Sequence, residues 1–510
     1  MLSLKQRFGA LKTAFTGRAT VPMGKVRMAG AGYSRLMKGW NAYLQSIDDA
    51  VVFKIGTLRA RARQLVEDNG EAAGLLLDFE SDIVGPKGAR LQFRATKKRG
   101  TPLDSLNDRI EAAFAGWSAR AQCTLDGFDD FASLQRLVIR TVIVDGEFFA
   151  IKHRGRQYRD GYALQVIDAD LVDDTYNHPP DANGVAWVMG VKVDRYGRPL
   201  AYAVWERHPN STQRGERREI PASDMLHVYK RLRPGPTRGI TWFAPALVTW
   251  KLGDQYTESE LVQSMLAAAQ GGFFESVDGT GSFPMRTVVD ANGNKQEVPI
   301  DLEVEPGVSR ALPAGWTFKA RQPTHPTANY VGFMKAVKRI IGRAFGRSYA
   351  SLTGDLSDVN FSSMRTDRVR EMEQNKLHQE DLLVRQFTHV VFSDWFVMAD
   401  LSNTLGILPR AVDELLSYAS WMCKGSPWVD PLKDLAAAQL EIQMRINSPQ
   451  RICAAKGVDF YEVVDEIADA EAYIKAKNLS AEAVALALTM DVSDPAQNDA
   501  PPSRNLRLTA

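Results

Sequence analysis

From Ser46 to Leu77, apolar residues recur at three- and four-residue spacing, which predicts two helices separated by Asn69-Gly70. Arg59, Arg61 and Arg63 sit among the alanines and leucines of the first. The same period predicts a helix over 106–121. Residues 125–154 then read as a helix followed by a strand, with Asp145-Gly146 as the turn. Over 162–230 the period falls towards two. β-branched and aromatic residues cluster there between turn signals such as Asn183-Gly184 and Tyr196-Gly197. The first half is therefore expected to be mixed α+β.

The pattern changes at residue 241. Residues 243–270 predict a long helix with Pro245 in its first turn, Lys251, Asp254 and Glu258 on one polar face, and a stop at Gly271-Gly272. Counted from Pro245, that helix would span about 39 Å. Residues 271–325 break all helical periodicity, and VDANGNKQEVPI within them predicts a hairpin. A second helix is expected from Ala328 to Arg347, N-capped by Thr327. A small β-rich insert thus hangs between two long helices. Residues 349–365, YASLTGDLSDVNFSSMR, have no period and read as a loop. A further long helix begins near Thr366. The stretch 411–488 reads as short helices broken at Gly425-Ser426-Pro427, Ser448-Pro449 and Gly457, and 489–510 has the composition of a disordered tail. No repeat at solenoid spacing is present.

Length and composition narrow the class. A chain of 510 residues predicts about three to four structural units, and 45% hydrophobic with 24% charged residues is ordinary for a buried core. Lys and Arg total 63 against 61 Asp and Glu, a net charge of +2, which argues against a polybasic coat for nucleic acid but not against local contact. The cysteines, Cys123, Cys423 and Cys453, are too few and too scattered for a disulfide framework or a Cys-rich zinc site. The most apolar stretch, 390–401, contains Asp394 and Asp400, so no membrane-spanning helix is expected. Residues 1–40 carry eight Lys or Arg and no acid, and lack the uninterrupted apolar run of a signal peptide. Their composition allows a transit peptide; a flexible arm is the expectation. That arm reads either as a solvated tail or as a contact to nucleic acid or a neighbouring subunit.

Motifs for catalysis are missing. Gly24-Lys25 has Ala19 where a phosphate loop needs glycine, and there is no GxGxxG, GxSxG or HExxH. Seven histidines are scattered without metal-ligand spacing, and no cofactor is implied. The best enzymatic candidate is the cluster Asp168, Asp170, Asp173 and Asp174, which could hold Mg²⁺ for nuclease or recombinase chemistry. No basic or histidine partner accompanies it locally, so a solvated acidic loop is the preferred reading. The best phosphate-binding candidate is the helix at 328–347. Lys335, Arg339, Arg343 and Arg347 recur every four residues with Lys338 beside them, while Phe333, Val337, Ile340, Ile341 and Ala344 form an apolar face. That stripe could track phosphates, pair with acids on another helix, or face water.

One stretch is recognisable. YASLTGDLSDVNFSSMR (349–365), preceded by HPTANYVGFMKAVKRIIGRAFGRS, resembles the lambda-type family of tailed-phage portal proteins. TLRARARQLVEDNGEAAGLLLDFESDIVG (57–85), DGFDDFASLQRLVIRTVIVDGEFF (126–149), HVYKRLRPGPTRGITWFAPAL (227–247) and the segment 427–466 are similar to other parts of that family. TGDLSDVNFSS is the most specific string, and the likeness covers most of 45–475.

The resemblance implies a non-enzymatic ring, dodecameric, at one capsid vertex, through which double-stranded DNA is packaged and ejected without sequence specificity. It implies the large subunit of the terminase, major capsid and scaffold proteins, and neck or head-tail adaptor proteins as partners, with no membrane partner and no metal. The protein would reside in the virion and, during assembly, in the host cytoplasm. The implied portal fold has a wing at 41–240, stem helices at 241–270 and 326–348 and a β-rich clip at 271–325. A tunnel loop follows at 349–365, then a long helix returning to the wing at 366–410 and a helical crown at 411–488. The channel-facing residues would be Leu352, Thr353, Gly354, Asp355, Leu356, Ser357, Asp358, Val359, Asn360, Phe361, Ser362 and Ser363. Lys335, Lys338, Arg339, Arg343 and Arg347 would be the phosphate-facing stem. A capsid-shell or neck protein remains the structural alternative.

Overall fold

The computed structural model describes residues 44–96, 103–211, 215–268, 272–276, 285–289, 293–299, 316–320, 329–357, 359–407, 412–426 and 431–477. The expected basic arm at 1–40 and tail at 489–510 lie outside these, as do Thr327 and Asp358. The chain divides into two compact units, residues 1–50 and 51–510. In the first, the Asp49 amide donates to the Ser46 hydroxyl at the start of a short helix.

In the second unit, α1 (Ile55–Asp68) and α2 (Gly70–Ile83) meet at Asn69, as the sequence predicts. The Asn69 side chain accepts from the Glu71 and Ala72 amides at 3.0 and 3.1 Å, satisfying orphan donors of the first turn. α2 buries Ala72, Leu75, Leu76, Phe79 and Ile83, one face at helical spacing. β1 (Arg90–Phe93) and α3 (Asp104–Trp117) follow. α4 (Phe131–Val144) starts in a reciprocal cap between Asp130 and Ser133 and buries eight side chains.

The Asp145-Gly146 turn leads into β2 (Glu147–Arg154). Gly146 has φ +94°, and a Cβ there would meet the backbone of Ile240 at 2.3 Å. Only glycine lets the two chain segments approach so closely. β2 lies between β3 (Tyr162–Ile167) and a strand from further along the chain, Met225–Tyr229. Between them β4 (Ala186–Val188), β5 (Val191–Val193), β6 (Pro199–Trp205) and β7 (Arg217–Pro221) form an antiparallel meander, after which Met225–Tyr229 is β8.

α5 (Leu247–Ala268) is the first long helix. It begins two residues after Pro245, which stands in the turn before the helix rather than inside it. The described strands of the insert are β9 (Gly272–Ser276), β10 (Met285–Val289), β11 (Lys295–Pro299) and β12 (Trp316–Ala320). β10 and β11 pair antiparallel as the expected hairpin, and β9 pairs antiparallel with β12 around it. α6 (Tyr330–Ala344) then returns along α5. Phe345 packs on Trp250, Val337 lies beside Gly253, and the Tyr330 hydroxyl donates to Thr257, a sequence of contacts that makes the two helices antiparallel. The residue before α6 is Asn329, and it makes no side-chain cap.

The stretch 349–365 is more ordered than its composition suggests. α7 (Tyr349–Thr353) is a single turn capped by Ser348 and closed by Gly354 at φ +70°. α8 (Phe361–His378) starts five residues earlier than expected because the Asn360 side chain accepts the Ser363 amide at 2.8 Å. Among the described residues, Gly354 to Ser357, Val359 and Asn360 remain as loop. α8 continues without a break through a wider, π-type segment (Gln379–Thr388) into α9 (His389–Leu401).

The C-terminal part departs from an all-helical reading. After α10 (Val412–Leu416), β13 (Ala419–Met422) pairs antiparallel with β1, Arg90 opposite Met422 and Phe93 opposite Ala419. α11 (Pro431–Gln443), α12 (Pro449–Ala455) and α13 (Phe460–Ala476) follow, and none of the three buries a residue. The centre of the core is aromatic: Phe114 packs against Trp117, Phe131, Phe392, Trp395 and Trp421 at centroid distances from 5.0 to 5.9 Å.

Candidate functional site

The aspartate cluster is engaged by arginines. Asp168 and Asp170 both bind the Arg63 guanidinium, at 2.7 and 2.8 Å, and Asp170 also binds Arg59. Asp173 is held by Arg217 at 3.0 Å, and burial raises the Asp174 carboxyl. The basic partners absent from the local sequence thus arrive from α1 and β7. Guanidinium groups occupy the positions a divalent cation would need, and among the described residues no group of three or more His, Cys, Asp or Glu is arranged to hold a metal. The cluster belongs to an ion network that runs from exposed Asp168 to buried Asp173, so the expected acid-rich loop is solvated at one end and paired with arginines along its length.

At the centre of that network is Glu147, fully buried at the start of β2. Its carboxylate accepts from Arg59 at 2.7 Å, from Arg238 at 2.6 and 2.9 Å, and from the Gly239 amide at 3.0 Å. His227 Nε2 lies 3.2 Å from its second oxygen, and Tyr202 Oη lies 3.3 Å from His227 Nδ1. A neutral ring donating to Glu147 and accepting from Tyr202 satisfies both contacts. Burial alone would raise the Glu147 carboxyl, but Arg238, His227 and Arg59 hold it well below the usual carboxylate range. Burial keeps His227 below its ordinary value. Arg238 and Gly239 lie in the segment between β8 and α5, so the network anchors the lead-in to the first long helix against the β-sheet. Sequence periodicity missed it, because its members are 88 and 91 residues apart.

The basic residues of α6 do not share one exposed stripe. Lys338 pairs with Glu71 of α2, and Lys335 lies 3.9 Å from Asp355. Arg347 lies beyond the helix end and is only 6% exposed, which corrects its expected place among phosphate-facing residues. It binds Asp82 at 2.9 Å, Glu371 at 3.6 Å and Asn375 at 3.2 Å, with its guanidinium over the Phe79 ring. Arg339 and Arg343 are exposed. Of the three readings open from sequence, ion pairing holds for the two lysines and Arg347.

The loop Gly354–Asn360 is tethered at both ends. Glu371 of α8 accepts from the Ser348 amide and the Ser351 hydroxyl, both at 2.9 Å. Within the loop, Asp355 accepts from the Ser357 amide at 3.0 Å, the Ser357 hydroxyl at 2.6 Å and the Tyr349 hydroxyl at 3.0 Å. Those bonds lower its carboxyl to about 2. Leu352 is buried, whereas Leu356, an apolar residue, is exposed within the loop. Thr353 belongs to α7, and Phe361, Ser362 and Ser363 form the first turn of α8.

Burial pushes Cys123 and Cys423 up to about 12, and all three cysteines are free. Among the described residues no helix is long and apolar enough to cross a membrane.

Known proteins with similar sequences include phage portal proteins. A family model for phage portal protein, lambda family, matches residues 33–379. A probable portal protein of Halomonas phage phiHAP-1 is 33% identical over 449 residues, covering 86% of this chain and 85% of that one. Portal protein B of Escherichia phage lambda is 22% identical over 478 residues, covering 85% and 87%. Among solved structures, a chain in the neck of a native GTA particle computed with C12 symmetry aligns at a TM-score of 0.42 and 15% identity, covering 78% of this chain and 93% of that one. With the family model spanning residues 33–379 and a relative at 33% identity along most of its length, this chain belongs to the lambda family of phage portal proteins, structural components of the head-tail connector and not enzymes.

Proposed function

We propose that the protein assembles into a closed ring of twelve subunits at one vertex of the phage capsid, and that double-stranded DNA enters and leaves through its centre. The observation that carries this reading is the apolar surface left on the paired helices α5 and α6. Val248, Leu252, Leu261 and Met265 on α5 and Val331, Phe333 and Ile340 on α6 are each more than half exposed. Two antiparallel helices bury one seam between them and leave their flanks bare, so lateral copies are the natural cover. A heterologous contact repeated by rotation closes into a ring.

In this reading residues 41–240 are the wing, α5 and α6 the stem, 271–325 the clip and Gly354–Asn360 the tunnel loop. The helix from α8 to α9 returns to the wing, and 411–488 is the crown. Exposed Arg339 and Arg343 offer backbone contacts without base readout. A near-neutral chain suits a conduit, because each neutralised phosphate adds salt-dependent grip. The large subunit of the terminase docks on the clip during packaging and neck proteins replace it afterwards, while scaffold and major capsid proteins surround the wing. The protein then resides in the virion.

Electron-microscopy class averages viewed down the ring axis test the assembly: closed twelve-fold rings are expected, and a stable monomer at micromolar concentration would overturn it. The loop assignment has its own test. Asp355→Lys with Asp358→Lys should leave rings intact but shorten the DNA packaged per capsid, with partial rescue at higher salt. Equal packaged length and rate in the variant would remove the loop from the channel.

A further inference from the structure

Between the segment leading into α5, the end of α6 and the π-type segment lies a cleft of about 900 Å³. Its lining includes Trp242, fixed by an edge contact to Phe79 at 5.7 Å and by the His378 ring at 4.7 Å. The Lys230 ammonium lies 4.3 Å from the centre of the Trp242 ring. Among the described residues no carboxylate or hydrogen-bond acceptor is recorded for that ammonium, and burial lowers its pKa. The Trp242 indole N–H is also buried without an acceptor. The indole N–H of Trp242 therefore lacks the partner that burial normally demands, and the half-buried Lys230 ammonium lies over the same ring.

Arg231 lines the cleft with Lys230, whereas Arg385, also in the lining, is already paired with Asp381 at 3.2 Å and Glu380 at 3.1 Å. Burial and the nearby Lys230 push His378 down to about 3, so its ring is neutral. The mouth mixes these charges with apolar groups: Leu232 and Leu377 are 60% and 62% exposed. A group that satisfies this site carries a carboxylate flanked by apolar side chains.

We propose that this cleft is the socket in which each subunit receives a carboxylate-bearing segment of its neighbour. The proposal rests on the ring reading and names the chemistry of its lateral contact. A second copy is the occupant because the cleft is continuous with the stem flank: Ala244 and Pro245 line it and lead directly to exposed Val248 and Leu252 on α5. The contact is then electrostatic at its centre and apolar at its edge, the arrangement that fixes register between identical subunits.

The test uses assembled full-length protein mixed from ¹⁴N- and ¹⁵N-labelled subunits and treated with a zero-length carbodiimide cross-linker. Mass spectrometry should find Lys230 joined to an Asp or Glu in peptides of mixed isotope. Lys230→Met, which retains an apolar stem on Trp242, should fold with an unchanged thermal midpoint as dilute monomer yet raise the concentration needed for assembly at least about tenfold. Assembled wild type with Lys230 joined only within single-isotope peptides, or Lys230→Met assembling like wild type, overturns the socket while leaving the ring intact. Wild type that never assembles removes both.

Discussion

Helices α4 and α13 are of similar length and each carries an apolar periodic face, yet they end in opposite surroundings. α4 buries eight of its residues between α2, the sheet and the π-type segment. α13 buries none, and Tyr461, Val464, Ile467 and Tyr473 stay exposed along it beside Glu462, Asp465, Glu466 and Asp469. α5 buries Trp250 but likewise leaves Val248, Leu252, Leu261 and Met265 exposed. An apolar stripe specifies that a face will be covered; it does not specify whether the cover comes from the same chain. The interior is closed by its own residues down to buried charges, whereas α5 and the C-terminal helices leave apolar side chains exposed among the described residues.

Substitutions can separate the two kinds of region. The largest effect should come from Glu147→Gln, which leaves Arg59 and Arg238 buried without their counter-charge. A loss of about 3–5 kcal/mol in denaturant unfolding is expected. A loss below about 1 kcal/mol would mean that the network is not what joins the sheet to α5.

Acid should act on the same interior. The folded-state carboxyls of Glu147 and Asp82 are held below their unfolded values, against burial, by Arg238 and Arg368 respectively among other partners. Their contribution is present above about pH 4.5 and is lost as pH falls through the folded values. Burial holds His378 at about 3, so between about pH 6.5 and 3 the unfolded chain takes up a proton that the folded ring refuses. Stability therefore falls on acidification already in that window. Comparing thermal midpoints at pH 7.5 and 5.5 checks it: His378→Phe should lose less than wild type, and an equal loss would assign the effect elsewhere.

A smaller effect is expected at the loop, where Asn360→Ala removes the cap of α8. About 1 kcal/mol should be lost in unfolding, with hydrogen exchange faster at Ser362 to Met364. Unchanged exchange would show that the start of α8 is held by packing. Smallest in stability is Leu261→Asp on the flank of α5, which should change unfolding by less than about 0.5 kcal/mol. The same substitution should abolish assembly in sedimentation velocity, and intact assemblies would show that this flank faces solvent.

Sequence alone determined whatever depends on neighbours along the chain. The boundary at Asn69, the Asp145-Gly146 turn, the β-rich stretch from 162 to 230 and the hairpin of 285–299 all follow from local period and turn chemistry. The Ser and Asn residues near 348–363 misled that reading, because the same side chains that favour loops also cap helices, and Ser348 and Asn360 do the second. Tertiary structure alone decided the partners of charge. The aspartates near 170 looked unaccompanied until α1 brought Arg59 and Arg63 across more than 100 residues, and Arg347 looked like part of a basic stripe until Asp82 and Glu371 enclosed it. It also set Ala419–Met422 beside Arg90–Phe93 as a strand in a region whose period is helical. The reason is physical: local propensity acts through a few bonds of backbone, whereas a buried charge or an added strand is chosen by whichever distant group completes its hydrogen bonds once the chain has folded.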